Sequence, residues 1–500
     1  MKTTLSVLLP LLVFINVGVD AATAEEWRSQ SIYQLLTDRY AREDGSTTAT
    51  CNTNEGKYCG GTWRGVISKL DYIQSLGFTA IWISPVTANI EGRTAYGEAF
   101  HGYWQNDLYS VNSHFGTPDD LRALSGAVHE RGMYLMVDIV VNHNGWNGAP
   151  STVDYSSFKP FNSPDDYHSY CTIDYNNSTS IQDCWLGDTQ VPLPDLKTES
   201  PTVASGYQSW ISQLVSNYSI DGLRLDTALQ VNPTFWTPFH SSAGIFMTGE
   251  LYNGDPTYVC PYQSATLLPS ILNFPSYYAA TSAFSSTSGS ISALASHIPQ
   301  MQATCADVTV LGHFSENHDL PRFAFLTGDK ALAKNLLAYT LLGDGIPIVY
   351  QGQEQGYAAL GQGSNGNDPF NREALWFSGY NEGSELAVVV KALNGIRKWA
   401  GGKQAGFWSA LTKVVQSDGG SIVLKRGDVL MVLTNGGAGA GKGQLVVNDG
   451  GFEAGSTVVD VLGCGEVQVG DGSLTVPMEG GLPRVLYPKS SLGGSGICGN

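Results

Sequence analysis

From Ile32 to about Ala400 the chain repeats one pattern, a short apolar β-prone run followed by an amphipathic stretch. That alternation is the mark of β-then-α units wound around a parallel sheet. With 500 residues and 42% hydrophobic content the chain can bury a large core, and its length exceeds an ordinary single domain unless that domain is an α/β barrel. Strands are expected at 31–35, 79–83, 134–140, 222–225, 245–248, 311–314 and 346–350. These fall one short of a closed barrel, and the missing strand is expected at 270–274, where Leu272, Asn273 and Phe274 precede Pro275.

Two stretches break the pattern. Between the third strand and a helix expected at 202–215 lie about fifty residues rich in Ser, Asp, Asn, Pro and Tyr, against about 2–6 for an ordinary βα loop. Such an insertion is a disordered excursion or a small subdomain, and the Cys171/Cys184 pair favours a subdomain forming one wall of a cleft. Beyond about Trp399 the composition shifts to Gly with Val/Leu alternation, as at 421–425, 429–433 and 444–447, which points to an antiparallel β domain. The expected division is a leader at 1–21, a barrel at 22–142 and 197–399, the insertion at 143–196 and a β domain at 400–500.

Lys2, an apolar run at 5–19 and small residues Ala21, Ala22 and Ala24 before Glu25 have the form of a secretory signal peptide. The run is short and contains Pro10 and Asn16, which weakens a membrane-span reading. Export to an extracellular setting agrees with eight cysteines, an even number. Neighbours in sequence would pair Cys51 with Cys59, Cys171 with Cys184, Cys260 with Cys305 and Cys464 with Cys498, although spacing alone leaves the connectivity open. A cysteine metal site is disfavoured by the lack of any Cys-x-x-Cys. Asn176, Asn177 and Asn217 stand in glycosylation sequons. A net charge of -18 opposes nucleic acid and anionic membranes as partners, while 24 Tyr and 11 Trp supply rings suited to sugar faces. A monomer is the default expectation.

In a barrel the catalytic groups come from the C-terminal ends of strands. The third strand runs into Asp138-Ile139-Val140-Val141-Asn142-His143, and the fourth reads Gly222-Leu223-Arg224-Leu225-Asp226. The fifth ends at Gly249-Glu250 and the seventh at Phe314-Ser315-Glu316-Asn317-His318-Asp319. Cleaving a glycosidic bond with retention needs a carboxylate nucleophile on one face of the sugar and a carboxylic acid on the other. Asp226 suits the first role, with Arg224 two residues earlier on the same strand face. Glu250 suits the second, its proton retained through burial and neighbouring carboxylates. Asp319 and His318 can hold sugar hydroxyls and support positive charge at the anomeric carbon, and His143 can donate to the same ring. Taken singly, each is an ordinary loop carboxylate or satisfied histidine; their recurrence at strand ends argues for a site.

These four segments resemble the signature regions of the α-amylase family, and more narrowly the secreted fungal α-amylases of the Taka type. The resemblance runs from Trp27 to Cys498, through Gly60-Gly61-Thr62-Trp63, His101-Gly102-Tyr103-Trp104 and Cys184-Trp185-Leu186-Gly187-Asp188. It implies a (β/α)8 TIM barrel with an inserted subdomain after the third strand and a C-terminal antiparallel β-sandwich. It also implies retaining endo-hydrolysis of α-1,4 links in starch, glycogen and maltooligosaccharides. By resemblance Asp226 is the nucleophile, Glu250 the acid/base and Asp319 the transition-state stabiliser, supported by Arg224, His143 and His318. Tyr103 matches a platform that stacks on a sugar, with His101, Trp104, Asp368 and Arg372 beside it. A structural Ca2+ would be held by oxygens of Asn142, Asp195, Gln182 and the main chain of Gln230.

The chain departs from the family pattern at three places. Leu229-Gln230 replaces a Lys-His pair that contacts the leaving-group sugars, Gln182 replaces an acidic calcium ligand, and Asn253 replaces a common Asp. Losing the Lys-His pair leaves open an α-glucanotransferase acting on α-1,4-glucans. A non-catalytic glucan-binding protein fits less well, because no catalytic carboxylate is missing. A metal-dependent hydrolase would need clustered ligands at strand ends, where only single histidines stand.

Overall fold

The apolar runs become eight short parallel strands. They are β1 (Ile32–Leu35), β2 (Ala80–Ile83), β3 (Tyr134–Ile139), β4 (Gly222–Leu225), β5 (Phe246–Gly249), β6 (Ser270–Ile271), β7 (Gly312–Phe314) and β8 (Ile346–Tyr350). The structure, a computed structural model, describes residues 22–500, so the leader expected at 1–21 lies outside the described residues. Within it no helix is long and apolar enough to cross a membrane. The strands pair in the order β6-β5-β4-β3-β2-β1-β8-β7. A parallel bridge from Leu272 to Gly312 and a 2.8 Å bond from Asn273 N–H to the Gly312 carbonyl join the two edges and close the barrel.

The strands are buried on both faces, which is why they read as near-continuous apolar runs. Ala80, Trp82, Met136, Phe246 and Ile348 pack together inside the barrel. Their sequence neighbours Ile81, Ile83, Val137, Met247 and Val349 point outward beneath the helices. Trp27 plugs the floor, its indole N–H donating to the Asp221 carbonyl at 3.1 Å. Gly222 makes room for it, since a Cβ there would meet the Trp27 ring at 2.6 Å. Strand β6 is the shortest because Asn273 already caps the helix Phe274–Phe284 at the Ser276 N–H and Pro275 occupies its first turn.

The stretch after β3 is ordered rather than an open excursion. Cys171–Cys184 ties it, Leu186–Gly187 pairs with Pro192–Leu193, and buried Phe158, Phe161 and Tyr167 pack with Tyr207 of the helix Pro201–Tyr218. The other bridges are Cys51–Cys59, Cys260–Cys305 and Cys464–Cys498, so all four cysteine pairs join sequence neighbours. The C-terminal domain is a six-stranded antiparallel sheet facing a two-stranded one. In its strand Val429–Thr434, Leu430 and Val432 meet Val447, Leu474 and Val476 of the facing sheet, forming the sandwich core. The alternate residues Val429, Met431 and Leu433 join the core shared with the barrel helices.

Candidate active site

Asp226 and Glu250 follow directly on β4 and β5, and main-chain bonds hold both at the barrel mouth. The Asp226 N–H donates to Ile139 and that of Glu250 to Leu225, each at 2.9 Å. There they line a cleft of about 780 Å³ between the barrel and the insertion. Each residue assigned from the sequence to chemistry or sugar binding lines this cleft, except Arg224, which lies beneath its floor.

Arg224 organises the floor. Its Nη1 lies 2.8 Å from Asp226 Oδ1 and 2.9 Å from Asp138 Oδ1, and its Nη2 lies 2.8 Å from Glu250 Oε1. One guanidinium therefore faces three carboxyl groups and cannot neutralise them all. Burial, opposed by Arg224 and reinforced by the charges of Asp226 and Asp319, pushes Glu250 up to about 8. Burial likewise raises Asp138 to about 7. A carboxyl that keeps its proton near neutrality is equipped to act as a general acid.

Thr227 adds a clamp that sequence reasoning missed. Its N–H donates to Glu250 Oε2 and its hydroxyl to Asp226 Oδ2, both at 3.0 Å. It does so at φ 45°, a left-handed conformation that a β-branched residue adopts only under strain. No sequence signal marks it, because a threonine after a strand is unremarkable. Asp138 was visible in its motif but carried no assigned role. It accepts from the Tyr103 hydroxyl at 2.7 Å and the Trp82 indole at 3.1 Å, fixing both rings beside Arg224.

The opposite wall is aromatic and charged. The Tyr103 ring lies parallel to His318 at 5.3 Å, and the Tyr103 N–H donates to His101 Nδ1 at 3.0 Å. The Gln34 amide donates to His318 Nδ1 at 2.8 Å, which leaves Nε2 to carry the proton and donate to Asp319 Oδ2 at 3.1 Å. Burial holds His318 well below its ordinary pKa, so it stays a neutral donor. Arg372 pairs with Asp319 at 3.0 Å and with Asp368 at 3.1 Å. Trp104 packs edge-on to His101 at 4.5 Å, and His143 Nε2 lies 3.3 Å from the Tyr103 carbonyl. Leu229 and Gln230 also line the cleft.

Of the four proposed calcium ligands, Asn142 and Asp195 lie together, both buried, on neighbouring segments joined by the Leu196 N–H to Asn142 carbonyl bond of 2.9 Å. Asp195 Oδ2 takes His168 Nδ1 at 2.7 Å, while Oδ1 has no partner. A buried carboxylate oxygen without a donor fits the demand of a hard cation. No hydrogen bond joins Gln182 or Gln230 to this pair; Gln182 sits beside Asp183 on the helix Ser178–Asp183. Among the described residues no group of three or more His, Cys, Asp or Glu gathers for a metal, so a cation here depends on amide and main-chain oxygens.

Carboxyl groups paired at the ends of β4 and β5 of an eight-stranded barrel, below a ring-lined cleft, define a glycoside hydrolase. The family model for the α-amylase catalytic domain matches residues 34–392, and that for α-amylase domain C matches 414–500. α-Amylase 1 of Schwanniomyces occidentalis is 48% identical over 483 residues, 96% of this chain and 93% of that protein. The α-amylase of Saccharomycopsis fibuligera is 46% identical over 466 residues, 93% of this chain and 92% of that protein. The structure of an α-amylase from Malbranchea cinnamomea superposes with a TM-score of 0.92 at 50% identity, covering 95% of this chain and 100% of that one. The chain belongs to the α-amylase family, whose members commonly bind calcium.

Proposed function

We propose that this enzyme cleaves internal α-1,4 links of starch-like glucans with retention, Asp226 attacking the anomeric carbon and Glu250 serving as acid and then base. The supporting observation is that one guanidinium holds both carboxyls. That closeness suits the separation of about 5–5.5 Å needed for double displacement rather than the about 6.5–9.5 Å that leaves room for an attacking water. Glu250 protonates the departing glycosidic oxygen while Asp226 forms the glucosyl ester. The deprotonated Glu250 then takes a proton from water as that water attacks the same carbon. Asp319, held by Arg372 and His318, faces the positive charge developing in each transition state. Tyr103 carries the sugar on the non-reducing side of the scissile bond.

Asn142 and Asp195, with Gln182 and the Gln230 carbonyl, are the proposed calcium ligands. When bound, the ion supplies a cross-link between the end of β3 and the insertion. Four disulfides agree with an exported, extracellular enzyme, and exposed Asn176, Asn177 and Asn217 are available for glycans.

The test is digestion of soluble starch, followed by iodine colour and by the anomeric configuration of the first products. Rapid loss of colour with α-configured products is expected, and Asp226→Asn should abolish both. Persistent colour, or β-configured products, would reject the reading.

A further inference from the structure

Asparagine is among the most thermolabile side chains, because the main-chain nitrogen of the next residue can attack its amide carbon and expel ammonia. A following glycine favours this most, having no Cβ to hinder the approach and the widest choice of backbone angles. Six asparagines here precede a glycine: Asn144, Asn147, Asn253, Asn365, Asn394 and Asn435. The attacking nitrogen must first give up its proton, so a hydrogen bond made by that N–H protects the site.

Five of the six are protected. The Gly145 N–H donates to the Gln105 carbonyl at 2.8 Å and that of Gly148 to the Gln190 carbonyl at 3.1 Å. Gly366 donates to the Ser364 hydroxyl and Gly436 to the Thr434 hydroxyl, each at 3.0 Å. Gly395 lies inside the helix Glu385–Lys403, where main-chain N–H groups bond along the helix. Gly254 differs: among the described residues its N–H meets no acceptor, and the residue is exposed to water. Its neighbours are tied. The half-open ring of Tyr252 rests on buried Phe274 at 4.7 Å, and the Asp255 N–H donates to Asn253 Oδ1 at 2.8 Å. That last bond draws electron density from the Asn253 amide carbon and is in place for the oxyanion that forms when a nitrogen attacks it. Asn253 borders the cleft, so the group lost and the charge gained are both at its wall.

We propose that Asn253 is a self-modifying site: in the folded enzyme it loses its amide to attack by the Gly254 nitrogen and becomes an acidic residue on the cleft wall. The Gly254 nitrogen bonds to Asn253 Cγ and closes a five-membered imide. Its proton passes through water to the departing Nδ2, which leaves as ammonia with the electron pair of the broken Cγ–Nδ2 bond. Water then adds to one of the two imide carbonyls and breaks that carbon's bond to nitrogen. Opening at Cγ leaves aspartate with the chain unchanged. Opening at the main-chain carbonyl leaves isoaspartate, with the chain running through the side-chain carbon and one methylene longer. Asparagine and water thus give acid and ammonia, with no other reactant. Either product puts a negative charge three residues from Glu250, which already faces Arg224, Asp226 and Asp319. A further like charge disfavours ionisation of Glu250, so the alkaline limb of activity moves to higher pH. That consequence rests on the acid/base role proposed for Glu250; the conversion itself does not.

The experiment stores the full-length enzyme at mildly alkaline pH in heavy-oxygen water and follows oxygen uptake over time by peptide mass mapping. Label is expected at Asn253 at least about tenfold faster than at the other Asn-Gly sites, in aspartyl and isoaspartyl peptides alike. In denaturant, where every N–H meets solvent, the six rates should draw level. Faster labelling of another Asn-Gly site in the folded enzyme, or no label at Asn253, would overturn the proposal. A preference for Asn253 that persists in denaturant would overturn it too, since local sequence rather than the fold would then be the cause. Aged parent enzyme and fresh Asn253→Asp should both show the alkaline limb of kcat displaced upward from that of fresh parent, while Asn253→Gln stored in the same way should keep its own. Label at Asn253 with an unmoved limb in both would leave the modification standing and refute its link to Glu250.

Discussion

Arg224 Nη2 lies 2.8 Å from Glu250 Oε1 with the arginine side chain only 1% exposed, yet Glu250 holds its proton more tightly than an ordinary carboxyl. The pair shows which effect prevails: a guanidinium shared with Asp138 and Asp226 does not offset burial and two further negative charges. This has a direct kinetic consequence. A general acid must be protonated, so activity should fall as pH rises through the raised pKa of Glu250, well above the ordinary glutamate value of about 4.3. A pH profile of kcat with a soluble substrate measures that limb. Glu250→Gln should lower kcat by about 10²–10⁴, the usual worth of a positioned acid/base.

Asp138 is expected to matter as a positioning residue. It accepts hydrogen bonds from Tyr103, Trp82 and Arg224, and Asp138→Ala would leave the Tyr103 hydroxyl and the Trp82 indole without that acceptor and Arg224 with only Asp226 and Glu250. Breaking such a buried ionic contact typically costs about 3–5 kcal/mol. Thermal unfolding should show a marked drop in Tm, and KM should rise because the Tyr103 ring loses its tether. Asp138→Asn keeps one acceptor oxygen and should recover much of the stability. An Asp138→Ala protein with parental Tm would contradict this role.

The barrel and the chemistry were legible in sequence for a shared reason. Short strands buried on both faces leave near-continuous apolar runs; Asp226 and Glu250 stand directly beyond two of them, and Asp319 closes the short polar segment that follows a third. The disulfides were legible as neighbour pairs, although spacing alone left them open. Other features depend on contacts between distant residues. Gln34 is 284 positions from His318, whose proton it directs, and nothing local to either announces the pairing. Strand β6 was hard to read because two residues carry no periodicity. Tyr252 and Phe274 are both aromatic, and only the fold distinguishes the half-open ring from the buried one.

The proposed calcium site makes a prediction about affinity. Asp195 and Asn142 are in place, but Gln182 contributes no charge. Calcium should raise Tm saturably and a chelator should lower it, as any ligand specific for the folded state does. Asp195→Asn should abolish the calcium-dependent part of the shift. Gln182→Glu adds an anionic oxygen and should tighten binding by roughly tenfold, since ligand charge tunes affinity for this ion. A calcium titration followed by unfolding temperature reads all three, with no need for an activity assay.

Thr227 sets stability against function. Its φ of 45° costs a β-branched residue about 1–2 kcal/mol, and glycine would remove that strain while adding about 0.5–1 kcal/mol of backbone entropy on folding. Thr227→Gly should therefore leave unfolding free energy unchanged or raise it by about 1 kcal/mol. The same change keeps the N–H that donates to Glu250 and deletes the hydroxyl that donates to Asp226. Without that bond the Asp226 carboxyl keeps only Arg224 to hold its attacking oxygen in line, and kcat should fall by about tenfold, roughly the worth of one hydrogen bond. Thr227→Ser retains the hydroxyl and should keep most of the rate. Chemical denaturation and kcat measured on the same three proteins decide the matter. A glycine variant that is both destabilised and fully active would show that the strained turn serves the fold rather than the nucleophile.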